Sequence, residues 1–523
     1  MSSKALENIK KRELYRGPAD AKLDQVTLKL MISNSQINQN FNLEKFISEF
    51  LKLSSEYKEQ GLPVKTRNQT ALRDFTTDLD QLITRYDEAF TKNPDQFPND
   101  LKFTIAHFSI LRAFRGYVWR LIPTAADSKA VQSALITQVK FTINSISAFI
   151  SSGNSDLIVA YLTEPLIENG IFPSAPERKG KPLMQFQSTI PGRGSEVMVA
   201  LDFRNYILPT LMKAAKRIEA ISMGPDLKKD FVFDLALIYG VEAFESGLGK
   251  KTRYLRFGDV EKQLVLSQLY GSIGSLLMQL SYTWEDGVKL ANTAIGIIGM
   301  DPILGVINPN GITTAEVMSN MRRQRLRWGV LQPNFVSNVV ANQKKPGYEL
   351  AYDYFKISAD RFLASYSALQ NRDKDSSYIV WNIIAPMNPM LQQITDDFIA
   401  QLTRFRDGKD LEFISRVTGE VVVISPSQFF TKPPGDLKRA FSIEEDRNLP
   451  SKIKKYQGVP EYRNYYQGRA LKWDTDFYSH LFPQLKGCTQ AKQCQSLLKN
   501  QTKILAESWS GFPFNVFLLP TLQ

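Results

Sequence analysis

The sequence predicts a mainly α protein, built as stacked helical hairpins or a helical bundle, with a degenerate solenoid as the alternative. Most of the chain carries apolar residues at the 3.6-residue spacing of amphipathic helices, separated by stops that contain Pro or Gly. One short stretch after residue 409 instead carries β-branched residues around a glycine, which predicts a small β-hairpin. Since 43% of the 523 residues are hydrophobic and 23% are charged, the chain has the composition of a globular protein and can bury a core.

An N-terminal helical domain is expected over residues 1–170. Its stops are clear, for example at Gly61 with Pro63 and at Asn93 with Pro94. Short loops between long helices favour antiparallel neighbours, which is why helical hairpins or a bundle are expected. The helices predicted in this domain span residues 21–33, 42–58, 70–91, 101–122, 128–151 and 156–168.

A linker or long loop is expected over residues 171–199, because this stretch is rich in Pro and Gly and shows no sustained period. A second helical domain is expected over residues 200–408, where the helical spacing resumes. Its predicted helices span residues 202–221, 230–246, 259–284, 287–298, 313–328, 347–370 and 391–407.

A mixed C-terminal region is expected over residues 409–523. Residues 411–416 and 421–425 are β-branched and apolar on either side of Gly419, and they predict the two strands of the hairpin. Residues 426–487 are rich in Pro, Tyr and Lys and are expected to form an irregular segment. A last helix is expected at 489–509, ahead of an apolar tail.

The predicted helix at 259–284 has the length of a membrane span, because no residue between Lys262 and Glu285 is charged. Three glutamines and several serines make it too polar to insert as a lone span, so no transmembrane span is predicted. The small residues Ser267, Gly271 and Ser275 form a stripe that lets a neighbouring helix approach closely. We therefore expect a buried helix.

The two cysteines of the chain, Cys488 and Cys494, predict a local disulfide and thus an oxidising compartment such as a bacterial periplasm. On one continuous helix they would lie about 9 Å apart along the axis and about 240° apart around it, which no disulfide spans. We therefore expect Thr489 to be the N-cap, with Cys488 on the incoming loop. The alternative is a pair of free thiols in the cytoplasm.

The first residues of this sequence are charged throughout and include no apolar segment of the kind found in signal peptides. A periplasmic location therefore requires that a leader has been removed. Peripheral contact with the envelope is expected to be weak and electrostatic, since the chain has a net charge of +12 and this surplus is spread along its length.

One run of arginines is a candidate anion-binding site and supports an alternative function. Four of them lie close together beside Trp328, where they could bind phosphate or stack on bases. These are Arg322, Arg323, Arg325 and Arg327. A basic helical nucleic-acid-binding protein of the cytoplasm is therefore an alternative, set against a solvated helix face that pairs with acidic neighbours.

No catalytic residue, metal site or cofactor is predicted. The two histidines, His107 and His480, are accompanied by no nucleophile elbow, and residues 244–252 lack the first glycine and the hydroxyl residue of a phosphate-binding loop. Glu245 with Ser246, and the later residues 274–280, resemble in their letters two motifs of lytic transglycosylases, at a longer spacing. That resemblance implies a third alternative, a peptidoglycan-cleaving enzyme with Glu245 as general acid and base.

The leading interpretation is a non-enzymatic helical scaffold or protein-interaction protein of a bacterial cell envelope. A protein partner or self-assembly is expected, because the sequence predicts a mainly helical fold and offers no catalytic or metal-binding motif. The nucleic-acid-binding protein and the peptidoglycan-cleaving enzyme are the alternatives.

Overall fold

The fold is mainly α with a small β-hairpin, as the sequence predicts. The structure is a computed structural model, and it describes residues 41, 43–58, 69–94, 97–113, 166–167, 170–171, 177–178, 181–182, 201–222, 230–234, 254–284, 328–331, 345–372, 374–375, 377–381, 385, 396–414, 418–433, 441–445, 469–473, 483–486 and 497. Among these residues, no helix is long and apolar enough to cross a membrane.

The helices of the described residues are numbered here in chain order. They are α1 (Leu43–Lys58), α2 (Gln69–Lys92), α3 (Asn99–Ala113), α4 (Leu208–Glu219), α5 (Asp259–Leu280), α6 (Gly347–Gln370), α7 (Asp396–Arg406) and α8 (Pro426–Thr431). A π-helical turn, Phe203–Ile207, leads into α4.

The described strands form two-stranded antiparallel sheets. They are β1 (Leu166–Ile167) with β2 (Gly170–Ile171), β3 (Glu177–Arg178) with β4 (Lys181–Pro182), β5 (Phe231–Asp234) with β6 (Tyr254–Phe257), β7 (Tyr282–Trp284) with β8 (Trp328–Leu331), β9 (Leu411–Ile414) with β10 (Val421–Ile424), and β11 (Phe441–Glu445) with β12 (Arg469–Trp473).

Helices α1, α2 and α3 pack around an aromatic core. Phe46 contacts Tyr86 and Phe108 edge-to-face, with ring centroids 5.1 Å and 5.3 Å apart. Ile83 has no exposed surface, and Phe50 is 1% exposed. Aromatic pairs in this geometry add about 0.5–1.5 kcal/mol each to the burial of their area, so the rings stabilise this three-helix unit together with its buried Leu and Ile side chains.

Among the described helices, α5 and α6 make the most extensive contact. Ser267 Oγ donates to the Ser358 carbonyl at 2.8 Å, and Ser358 Oγ donates to the Ser267 carbonyl at 2.6 Å. A Cβ at Gly271 would lie 3.2 Å from Ser358 Oγ, and one at Gly274 would lie 3.0 Å from a backbone oxygen of α6. The predicted small-residue stripe thus lines this contact at Ser267 and Gly271. Gly274 contacts α6 as well, and the Ser275 hydroxyl bonds within its own helix.

One apolar cluster connects α3, α4, α5, α6 and the β9–β10 hairpin. Its buried members include Phe103, Leu211, Ile273, Phe355 and Phe413. They come from each of the three domains expected at 1–170, 200–408 and 409–523. The described parts of those domains therefore share a core, and the division into domains stays a prediction.

The helix predicted at 230–246 is wrong at its start. Phe231 and its neighbours form β5, and Phe231 stacks on Phe257 of β6 with ring centroids 4.7 Å apart. Neither ring is more than 1% exposed. The run Phe-Val-Phe favours a strand, and the aromatic pair across the two strands decides between strand and helix here.

Other predicted bounds also change. The helices expected to end at 168, 284 and 328 have their last residues in or beside strands β1, β7 and β8. The segment expected to be irregular, 426–487, contains α8, β11 and β12. In contrast, α1, α2, α6 and the hairpin lie within two residues of their predicted bounds, because each has a strong and local pattern.

Candidate functional site

Most of the sequence-predicted site residues lie outside the described residues. These are Cys488, Cys494, Arg322, Arg323, Arg325, Arg327, Glu245 and His480. His107 is described and lies partly buried on α3 beside Phe108, with ring centroids 6.2 Å apart. Burial lowers the pKa of His107 to about 4, so the imidazole is neutral at pH 7.

A buried charged cluster joins the first turn of α5 to the chain after α6. We call it the Glu261 cluster, and its members are Asp230, Arg256, Glu261, Arg372, Asp375 and Tyr378. Glu261 has no exposed surface, and its carboxylate accepts from Gly258 N at 2.9 Å, from Val380 N at 3.3 Å and from Arg372 Nη1 at 2.9 Å. Three donors on a fully buried carboxylate compensate for its lost hydration.

In the same cluster, two guanidinium groups lie over the ring of Tyr378. Arg372 lies 4.1 Å and Arg256 lies 5.7 Å from the ring centroid of Tyr378. The phenol hydroxyl donates to Asp230 Oδ2 at 2.7 Å. Burial raises the pKa of Asp230 to about 6, although the hydrogen bond from Tyr378 and the charge of Arg372 both act to lower it. Asp230 therefore titrates near pH 6 instead of near pH 4.

Backbone contacts complete the attachment of this segment to β6. Arg256 N donates to the Ser377 carbonyl at 2.6 Å, and Arg256 forms a parallel bridge with Tyr378. Arg256 Nη1 lies 3.3 Å from Asp375 Oδ2. The Glu261 cluster thus fixes the end of α6 onto β6 and the start of α5. Its charges serve as cross-links between these elements.

A second buried cluster, the Asp87 cluster, joins α2, α3 and α4. Asp87 is 8% exposed and pairs with Arg217, while Lys213 Nζ lies 2.8 Å from Asp87 Oδ2. Arg217 Nη1 also donates to Ser109 Oγ at 3.0 Å, and Arg112 Nη2 lies 3.8 Å from Asp87 Oδ2. Burial lowers the pKa of Arg217 to about 10, so its charge persists at pH 7.

Lysines from two other helices cap the end of α4. Lys262 Nζ donates to the carbonyls of Glu219 at 3.1 Å and Ile221 at 2.7 Å, and Lys102 Nζ donates to Ala220 at 3.4 Å. Cations at a helix C-terminus satisfy its last carbonyls and oppose the negative end of the helix dipole. Charge therefore connects α3, α4 and α5 as well.

The β9–β10 hairpin presents an aliphatic surface. Its inner side chains Leu411, Phe413, Val422 and Ile424 are buried in the main core. On the outer face Ile414 is 62% exposed and Val421 is 52% exposed, and these two residues are direct cross-strand partners. We call Ile414 and Val421 the hairpin patch. Their exposure contrasts with the burial of most large aliphatic side chains in the described residues.

None of these features was singled out from the sequence. One hydrogen bond of the Glu261 cluster, from Gly258 N to the Glu261 carboxylate, has a local signal in the sequence. A Glu three residues after the N-cap of a helix commonly accepts a hydrogen bond from the backbone N–H of the N-cap residue. The alternation in β9 and β10 likewise distinguishes the two hairpin faces. The chain matches no protein-family model, no curated protein and no solved structure with which it was compared.

Proposed function

We propose that this protein is a helical scaffold that binds a partner protein through the hairpin patch. The observation that carries the proposal is the exposure of Ile414 and Val421, side by side, on a hairpin whose other face is anchored in the core. Contiguous exposed apolar side chains mark protein contact surfaces, and Ile414 and Val421 are the direct cross-strand neighbours from which such a surface would be built.

Polar side chains surround this patch, as they do the apolar centres of protein interfaces. Arg404 Nη2 pairs with Glu412 Oε1 at 2.5 Å on one side of the hairpin. Thr418 and Glu420 lie exposed at the turn. Because Ile414 is 62% exposed and Val421 is 52% exposed, a partner that buried the rest of both side chains would gain about 1–2 kcal/mol for each of them.

The charged clusters support the scaffold part of the proposal. The Glu261 cluster, the Asp87 cluster and the lysine caps of α4 all join different helices, and their charges are compensated within the fold. Because breaking such a buried pair is costly, these contacts hold the helices in one arrangement. A fixed arrangement lets a contact surface bind without first being ordered.

The proposal is tested by cross-linking the tagged, full-length chain in its source cells, followed by affinity purification and quantitative mass spectrometry. The test variant is Ile414→Asp with Val421→Asp. The control is Ile357→Asp, which introduces one such charge on α6, at a residue that is 37% exposed. Circular dichroism checks that both variants fold.

With the hairpin variant, the recovered amount of at least one cross-linked protein is expected to fall about tenfold or more. The loss of two buried aliphatic contacts exceeds about 1.4 kcal/mol, which corresponds to a tenfold loss of affinity. The control is expected to retain that protein. An unchanged set of cross-linked proteins in all three samples contradicts the proposal.

The proposed location of the protein is the bacterial envelope. The two cysteines of the sequence, Cys488 and Cys494, support this location because a local disulfide is typical of an oxidising compartment. Intact mass after alkylation, with and without prior reduction, tests the assignment on protein taken from its native cells. A disulfide leaves both residues unmodified until reduction. Alkylation of either cysteine without reduction contradicts the envelope assignment.

A further inference from the structure

Glutamine side chains occupy both edges of the β9–β10 hairpin. On the β9 edge, Glu412 N donates to Gln401 Oε1 at 2.9 Å. On the β10 edge, the Gln484 side-chain amide, oriented with its nitrogen toward the carbonyl, donates to Val423 O at 3.0 Å and accepts from Val423 N at 2.7 Å. Gln484 thereby makes the two hydrogen bonds that a residue of a neighbouring strand would make.

The β10 edge presents backbone groups at a two-residue repeat. In an antiparallel pair, residues alternate between bonding the partner strand and pointing away from it. Glu412 and Val423 are cross-strand partners, and both direct their N–H groups outward to glutamines. The next pair with the same direction is Ile414 with Val421. Val421 and Val423 therefore present their N–H and C=O groups on one edge, beside the hairpin patch.

We infer that the outer edge of β10 is a strand-addition site for an extended, aliphatic segment of a partner protein, and that Gln484 is an internal substitute which this segment displaces. The inference rests on the proposed function and specifies its partner. Gln484 lies exposed in the 3₁₀ turn Pro483–Leu485, and this turn contacts β10, so an added strand displaces the turn together with the Gln484 side chain.

An extended segment is the occupant that fits this edge. The outward N–H and C=O groups of Val421 and Val423 recur every two residues, and an extended backbone supplies acceptors and donors at that same spacing. The Gln484 side-chain amide already bonds the N–H and C=O groups of Val423. Ile414, Val421 and Val423 share the outer face, where they would contact aliphatic side chains at alternate positions of the added strand.

The experiment measures binding of a fluorescein-labelled peptide, Lys-Thr-Val-Thr-Val-Thr-Val-Lys, to the full-length chain by fluorescence anisotropy. Gln484→Ala is expected to bind about three- to tenfold more tightly than the unmodified chain, because the peptide no longer has to displace two hydrogen bonds. Val423→Pro is expected to weaken binding about tenfold. It removes an N–H that points away from β9, so the hairpin ladder stays intact.

Two N-methylated peptides supply the control for strand geometry. One is methylated on its Val amides and the other on its Thr amides, so each has lost the donors of one edge. Strand addition predicts that one of them loses binding while the other retains it. Equal binding of both, or equal affinity of Gln484→Ala and the unmodified chain, overturns the inference. No binding to Gln484→Ala up to about 1 mM peptide also overturns it.

Two further outcomes separate this inference from the proposed function. If Gln484→Ala self-associates in sedimentation equilibrium without peptide, the occupant is a second copy of the chain, and the partner-protein form is overturned. If the Ile414→Asp, Val421→Asp variant loses its cross-linked proteins while the peptide experiment fails, the patch is a contact surface that works without strand addition.

Discussion

Arg372 Nη1 lies 2.9 Å from both carboxylate oxygens of Glu261, a residue without exposed surface. The two residues lie at opposite ends of helices that pack together, Glu261 in the first turn of α5 and Arg372 just after α6. The ion pair therefore connects the start of α5 to the end of α6. This arrangement leads to the first prediction.

Glu261→Gln should lower the free energy of unfolding by about 3 kcal/mol, because it leaves Arg372 beside a neutral group in a buried site. Glu412→Gln is the matched control, since the Arg404 to Glu412 pair is exposed, and it should cost less than about 1 kcal/mol. Urea unfolding of both variants measures the difference. Equal losses would show that burial does not distinguish the two pairs.

Asp230 should make stability depend on pH. Its pKa is about 6 in the folded chain against 3.8 for an ordinary aspartate, so the folded state holds the proton more tightly than the unfolded state. The stabilisation is fully present below pH 3.8 and is lost as the pH rises through 6. By linkage it amounts to about 2 to 3 kcal/mol.

Asp230→Asn isolates this effect. The stability of the unmodified chain minus that of the variant, measured by urea unfolding between pH 4 and pH 7.5, should decrease as the pH rises and level off above about pH 6.5. A difference that is constant over this range, or that increases with pH, would contradict the raised pKa.

Gly274→Ala should destabilise the pair of α5 and α6. The new Cβ would lie 3.0 Å from the Ala351 carbonyl oxygen and 3.1 Å from Phe355 Cδ1, so the helices must separate. We expect a net loss of about 1–3 kcal/mol, even though alanine is the better helix former by about 1 kcal/mol. Ser272→Ala, an exposed change on α5, is the control for thermal unfolding. An increase in melting temperature for Gly274→Ala would mean that the contact adapts.

Arg217→Lys should destabilise the Asp87 cluster while keeping its charge. Arginine reaches Asp87 and Ser109 at once through its planar fork, which a lysine cannot reproduce. A loss of about 1–3 kcal/mol is expected in guanidinium unfolding. Lys213→Arg, at a half-exposed residue that pairs with Asp87, should stay within about 0.5 kcal/mol. Similar effects of the two exchanges would exclude a role for the fork.

The sequence by itself determined the helical class, the bounds of α1, α2 and α6, and the hairpin. In each of these the pattern is local, because helix spacing and strand alternation are set by neighbours within a few residues. At β5 the local pattern was ambiguous, and the choice of strand over helix depended on the ring of Phe257, 26 positions from Phe231. The sequence of the segment itself does not reveal a partner that lies so far along the chain.

The candidate sites were decided by the tertiary structure alone. Glu261 and Arg372 are 111 positions apart, and Gln484 meets Val423 across 61 positions, so no spacing rule could pair them. Sequence periodicity shows which residues share a face of one element, as it does for Ile414 and Val421 on the hairpin. Which faces are buried, and which charges meet, depends on how the elements pack, because burial and charge pairing are properties of contacts distant in the chain.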